Sequence, residues 1–172
     1  MINQKDGGEM KGHTDKKQLE RHAVDIFVDR FYNIFGAKYK ILELRERPDA
    51  LLETERGKKI GVEIAHLFKN QEEARFLLGK AEQLNLYFEV AEHYDDHLIA
   101  LNQLLRKKEK VISKYDVDFP IVLLIRSATP DLTYSRMKLL EEDLYIPQSC
   151  RDVWLLLDDS HEHDWGSLVK LK

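Results

Sequence analysis

The chain has 172 residues, a length that suits one domain with its own core and leaves little room for a second. Hydrophobic residues make up 43% and charged residues 34%, which predicts a soluble globular protein, and no apolar run approaches the roughly 20 residues that span a bilayer. The formal net charge of −4 argues against attraction of nucleic acid by a basic overall field, so such a contact would need a local patch or bound metal.

The N-terminal residues are polar, lack helical periodicity and lack the apolar core of a secretory signal. We expect residues 1–13 to form a disordered arm and residues 14–172 to form a single domain. Cys150 is the one cysteine, which excludes an internal disulfide framework and, with the absence of a signal, predicts a cytoplasmic protein. Apolar residues at helical spacing predict a helix from Lys16 to Phe35, with Thr14 or Asp15 as its N-cap.

Two short apolar runs rich in strand-forming residues, Ala50–Leu52 and Ile60–Ala65, flank a polar segment that contains Gly57. This pattern predicts an antiparallel hairpin with the glycine in a left-handed turn position. If the loop is Glu-Arg-Gly, Asp49 lies opposite Glu63 across the hairpin. A bulge in the turn would shift the pairing by one residue and separate the two acids.

Directly opposed residues of a hairpin have β-carbons roughly 4.5–5.5 Å apart, so the two carboxylates of Asp49 and Glu63 would repel each other. A cation between them would offset that repulsion. Carboxylate oxygens are the preferred ligands of hard cations such as Mg²⁺, and metal-assisted hydrolysis of a phosphodiester is chemistry that such a pair supports.

A long stretch without proline, residues 68–115, predicts two helices, the second over about 92–115. Lys108 falls near the centre of the apolar stripe of that second helix. A lysine on a buried face is costly unless its ammonium reaches water or a carboxylate, so Lys108 is a candidate partner for the acids. Gln103 and His97 are weaker candidates on the same helix.

The remaining elements complete an α/β pattern. Residues 38–44, 119–125 and 153–157 predict strands, and a helix over 132–144 between the last two predicts a parallel crossover. The tail from His161 to Asp164 is rich in possible metal ligands, although a polar surface loop is the favoured interpretation.

The segments Pro48-Asp49 and Glu63-Ile64-Ala65 resemble the two acidic motifs of the PD-(D/E)XK nuclease superfamily, whose fold is called restriction-endonuclease-like. The resemblance in the order of elements covers roughly residues 16–158. It implies a three-layer α/β/α fold with a central mixed sheet of four to five strands. It also implies hydrolysis of phosphodiester bonds in DNA with Mg²⁺ or Mn²⁺ as cofactor.

The resemblance further implies a set of site residues. Asp49 and Glu63 would be catalytic and would bind the metal, with Glu20 of the first helix and the backbone carbonyl of Ile64 as further ligands. The superfamily's lysine should stand at position 65, which here is Ala65.

The missing strand lysine leaves three hypotheses open. In the first, Lys108 replaces it and the protein is an active nuclease, expected as a homodimer because cutting a duplex needs two sites. In the second, the fold is catalytically silent and serves as a binding or assembly module. In the third, the domain is unrelated and Asp49 and Glu63 are surface acids of a hairpin. His66, on the strand face opposite Glu63, is interpreted as structural.

Overall fold

The structure is a computed structural model. It describes residues 9–68, 88–90, 96–127, 129, 131–158 and 166–172. Among these residues no helix combines the length and the apolar character needed to cross a membrane.

Three α-helices lie within the described ranges. They are α1 (Glu9–Phe35), α2 (Asp96–Ile112) and α3 (Tyr134–Leu140), the last followed by a 3-10 turn at Glu141–Asp143. Seven strands lie there as well. They are β1 (Tyr39–Leu44), β2 (Ala50–Thr54), β3 (Lys59–Phe68), β4 (Phe88–Val90), β5 (Ile121–Ser127), β6 (Asp152–Leu157) and β7 (Leu168–Lys170).

The strands form one mixed sheet in the order β1-β2-β3-β5-β6-β7, and β4 pairs with β3. β3, β4, β5 and β6 run parallel, whereas the pairs β1–β2, β2–β3 and β6–β7 are antiparallel. The predicted α/β class, mixed sheet and parallel crossover are confirmed. The predicted number of four to five strands is wrong, because β4 and β7 add two. Each has three residues, too few to display the two-residue period by which strands are recognised.

Two cores cover the two faces of the sheet. Alternation along β3 sends Val62 and Ile64 towards α1, with Phe27 and Trp154 in the same core. The other core contains Ala65 and the apolar residues of α2 and α3. The helices therefore sandwich the sheet in three layers, α1 on one face and α2 with α3 on the other.

The first helix is longer than predicted. α1 begins at Glu9, so residues 9–13, expected in the arm, are helical, and the expected N-cap at Thr14 or Asp15 lies inside the helix. Residues 1–8 lie outside the described ranges. Gly36 ends the helix in the left-handed conformation, with φ of 68° and its N–H donating to the carbonyl of Tyr32 at 2.7 Å.

The predicted hairpin of β2 and β3 is confirmed in its expected register. The pairs run from Glu53–Lys59 to Ala50–Val62. Gly57 has φ of 73° in the turn, where a residue without a β-carbon avoids steric strain. The hairpin therefore brings Asp49, the residue before β2, alongside the middle of β3.

Gly61 of β3 permits a close approach between neighbouring segments. A β-carbon there would lie 2.5 Å from Pro48 Cγ, 2.7 Å from Ile121 Cδ1 and 2.9 Å from Phe119 Cε2. The missing side chain thus lets the segment that carries Asp49 pack directly on the sheet.

Gly61→Ala should destabilise the fold by about 1–3 kcal/mol, because an added methyl group would overpack this contact. Urea titration followed by circular dichroism measures the change. Gly57→Asn is the control, since its β-carbon meets open space and asparagine tolerates the left-handed conformation. Equal stability of the Gly61→Ala variant and the wild type would contradict the close approach of Pro48, Ile121 and Phe119 to Gly61.

Candidate functional site

The candidate site lies where one edge of β3 changes partner. β2 pairs with β3 as far as Val62, and β4 begins its pairing at His66. Residues 63–65 lie between these two partners on the same edge. The backbone there needs hydrogen bonds from another source, because an unpaired buried peptide group is costly.

Asp49 supplies that hydrogen bond. Its Oδ2 accepts from the backbone N–H of Ile64 at 2.7 Å, and its own backbone carbonyl accepts from the N–H of Arg45 at 2.9 Å. Hydrogen bonds thus hold both the side chain and the backbone of Asp49, and the residue is 6% exposed. Since the N–H and C=O of a strand residue point to the same edge, the Ile64 carbonyl is also directed to this edge.

Burial raises the pKa of Asp49 from its ordinary 3.8 to about 8, with the negative charges of Glu63 and Glu20 adding to the effect. The positive charge of Lys108 and the hydrogen bond from Ile64 act in the opposite direction and are weaker. At neutral pH the Asp49 carboxyl group therefore holds a proton for much of the time. Three acids share one small buried volume, which contradicts the hypothesis that Asp49 and Glu63 are surface acids.

Glu63 is paired with Lys108. The ammonium Nζ donates to Glu63 Oε1 at 2.7 Å, and the two side chains are 3% and 4% exposed. The second oxygen, Oε2, is buried and has no hydrogen-bond partner of ordinary geometry among the described residues. The structure thus places the lysine predicted from the helical stripe directly at the acid predicted from the hairpin.

Glu20 reaches the same region from α1. It is buried and forms an ion pair with Lys16, one turn earlier, at 3.2 Å. Burial raises the pKa of Glu20, although the neighbouring Lys16 and Lys108 oppose that change. For Lys16, burial lowers the pKa, but the charges of Glu20 and Asp49 outweigh it, so the net shift is upward.

Tyr115 is a site residue that the sequence did not reveal. Burial of its hydroxyl and the negative charge of Glu63 beside it raise the pKa of Tyr115, and Asp49 contributes in the same direction. By its spacing in the sequence, Tyr115 is one more apolar residue in the stripe of the helix predicted over about 92–115. The residue instead lies three positions after the end of α2, and only the fold turns its hydroxyl towards the acids.

His66 is buried on the α1 side of the sheet, where its ring stacks on Phe68 with centroids 5.6 Å apart. Burial lowers the pKa of His66 to about 3, and the positive charges of Arg126, Lys108 and Lys16 contribute. The imidazole is therefore neutral across the physiological range, in keeping with its interpretation as a structural residue.

The other candidates are not brought to Glu63. Ala65 is fully buried in the core beneath α2. Gln103 is exposed, and the charged neighbours of the buried His97 are Arg136, Asp131 and Asp96. The segment from His161 to Asp164 lies outside the described ranges.

The donor atoms at this site suit a hard divalent cation. Within the described residues no group of three or more His, Cys, Asp and Glu side chains is arranged to hold a metal ion. Mg²⁺ commonly binds through one or two carboxylates and keeps several waters. Asp49 and Glu63 fit that requirement, and a cation would also offset the repulsion between the two acids, which adds to the effect of burial on the pKa of Asp49.

The raised pKa of Asp49 predicts a pH-dependent stability in the absence of metal. Because the folded protein binds this proton more tightly than the unfolded chain, the contribution of Asp49 to stability should be lost as pH rises from about 4 to about 8. Urea titrations in EDTA across this range should give a steeper decline for the wild type than for Asp49→Asn. The exposed Asp118→Asn is the control and should keep the wild-type slope.

The buried ion pair predicts a large cost when one partner is removed. Lys108→Met should destabilise the fold by about 3–5 kcal/mol, because the Glu63 carboxylate would lose its counter-ion. The double variant Glu63→Gln/Lys108→Met should recover much of that loss. Lys107→Met, at the exposed neighbouring position, is the control and should change stability by less than about 0.5 kcal/mol in the same urea titration. If the separate effects of Lys108→Met and Glu63→Gln on the free energy of unfolding add up to the effect of the double variant, a direct interaction is contradicted.

Comparison with known proteins leaves this site to be interpreted from its own residues. No protein-family model, curated protein or solved structure matches the chain.

Proposed function

We propose that the protein is a metal-dependent nuclease of the PD-(D/E)XK type that hydrolyses phosphodiester bonds in DNA. The observation that carries the proposal is the buried constellation of Asp49, Glu63 and Lys108, with Nζ of the lysine 2.7 Å from Glu63 Oε1. Buried acids with raised pKa values beside a buried lysine are more typical of functional sites than of structural ion pairs on a surface.

Each residue has a role that follows from its position. Asp49 and Glu63 would hold Mg²⁺ or Mn²⁺, with Glu20 and the Ile64 carbonyl as further donors. The bound cation would polarise the scissile phosphate and lower the pKa of an attacking water. Lys108 would orient that water or stabilise negative charge that develops on the phosphate, since its ammonium is already fixed beside Glu63. Tyr115 would help to hold the Glu63 carboxylate in place.

Two arginines in a segment of mixed charge support contact with a nucleic acid despite the negative net charge. Arg45 and Arg47 lie in the segment that leads to Asp49, and Arg47 is exposed. Arg45 lies over the ring of Phe119 at 5.9 Å, and Arg47 is close enough to Tyr115 to affect its pKa. Arginines so placed would contact phosphates that flank the scissile one.

Purified protein should nick supercoiled plasmid with Mg²⁺ or Mn²⁺ and should not do so in EDTA. Glu63→Gln should lower the nicking rate about 100-fold or more, because the cation that stabilises the charge of the transition state would lose a carboxylate ligand. Glu53→Gln, on the neighbouring strand away from the cluster, is the matched control and should keep the wild-type rate. Absence of cleavage of every DNA and RNA form with any divalent cation would overturn the enzymatic function.

A second candidate function is a catalytically silent binding or assembly module with the same fold. The specific observation in its favour is that Lys108 already neutralises Glu63, while position 65 holds alanine instead of the superfamily's lysine. Because the two charges of this ion pair already neutralise each other, the pair needs no metal.

Thermal unfolding in Mn²⁺ separates the two candidates. The nuclease should gain several degrees in melting temperature at saturating Mn²⁺, because a ligand that binds only the folded state stabilises it, and Asp49→Ala should abolish the gain. An unchanged melting temperature for both proteins would favour the silent module.

A further inference from the structure

A cavity of about 530 Å³ lies where β5 and β6 begin and α2 ends. Its volume is in the range of small-molecule sites. The walls come from the residues that follow α2, among them Tyr115 and Phe119, and from the loop before β6, which includes Gln148 and Ser149.

The cavity adjoins the acidic site. Tyr115 belongs to both, since it lines the cavity and the charge of Glu63 raises the pKa of its hydroxyl. Phe119 and Ile121, also in the wall, pack where the β-carbon of Gly61 would be. Gly61 and Glu63 are two positions apart on β3 and face the same side of the sheet, so their α-carbons are roughly 6–7 Å apart.

Hydrogen bonds hold the loop wall in place. The backbone N–H groups of Gln148 and Ser149 donate to the Glu109 carboxylate at 2.6 and 2.9 Å. Lys172 Nζ donates to the carbonyls of Pro147 and Cys150 at 2.9 and 2.8 Å. These contacts give the cavity a fixed shape before any ligand binds, which lowers the entropic cost of binding.

The lining offers flat apolar faces together with hydrogen-bonding groups. Tyr115 and Phe119 supply aromatic surface, and the amide of Gln148 can donate and accept. A nucleobase, with its flat aromatic faces and polar edges, can use both kinds of group.

We propose that this cavity binds one unpaired nucleobase of the DNA substrate next to the bond that is cut. The inference rests on the proposed action on DNA and specifies the substrate, a strand with an unpaired or extruded nucleotide near the scissile phosphate. A base inside a duplex cannot enter such a cavity without leaving the stack. The base would pack against Tyr115 and Phe119, and the amide of Gln148 would bond its polar edge.

The test uses the full chain and two DNA hairpins that contain 2-aminopurine, one with this base unpaired as a single-nucleotide bulge and one with it paired. Binding is measured in Ca²⁺ from the fluorescence of the base. The wild type should bind the bulged hairpin about tenfold more tightly than the paired one, the size expected from one base–aromatic stack. Its emission should change only in the bulged hairpin.

Two variants that fill the cavity should remove that preference, Gln148→Trp and Val117→Trp. Ser113→Phe, at an exposed position outside the cavity, is the control and should retain it. Thermal unfolding verifies that each variant is folded. Equal binding of both hairpins by the wild type, or a preference retained in either folded filling variant, would overturn the proposal.

The outcome is separable from that of the nuclease proposal. If plasmid nicking occurs and the wild type does not prefer the bulged hairpin, the cavity proposal fails and the nuclease stands. If no cleavage occurs but the preference is present and is lost on filling, the cavity proposal stands and the protein is a silent module that recognises unpaired bases.

Discussion

The structure depends on how three buried acids are tolerated in one place. Asp49, Glu63 and Glu20 approach one another at the edge of β3, where burial in a medium of low polarity makes each uncompensated charge costly. Compensation comes in three forms. Lys108 and Lys16 supply opposite charge, the Ile64 N–H supplies a hydrogen bond, and the raised pKa of Asp49 lets a proton neutralise what remains.

This constraint accounts for local features that otherwise look unrelated. The change of partner along β3 leaves the Ile64 N–H free for a side chain, and Asp49 fills the position that a strand would otherwise occupy. Gly61 allows the segment before Asp49 to lie close enough to do so. The central part of β3 thus lies between the strands β2 and β4, which pair with the same edge of it.

The three-layer arrangement decides which groups converge. The hairpin supplies Asp49 and Glu63 through local chain geometry. Lys108 comes from the helical layer on one face of the sheet and Glu20 from the layer on the other. The end of α2 then brings Tyr115 to Glu63 and opens the neighbouring cavity towards the start of β5 and β6. A cut phosphodiester and an unpaired base beside it would thereby be held by adjoining parts of one surface.

Much of this site was predictable from the sequence because its parts have local signals. The glycine in a polar turn between two apolar runs predicted the hairpin and its register. The place of Lys108 within an apolar helical stripe indicated that this lysine needs a buried partner. Signals of this kind depend on a period of 2 or 3.6 residues and are weak for short elements, so β4 and β7 were missed.

The sequence by itself therefore determined the α/β class, the hairpin that carries the two acids and the helix that carries the lysine. Only the tertiary structure decided that Lys108 meets Glu63, that Asp49 bonds the Ile64 backbone and that Tyr115 belongs to the site. The physical reason is that those contacts join residues 15 to 52 positions apart in the chain. Their distances follow from how the layers pack, which no local pattern encodes.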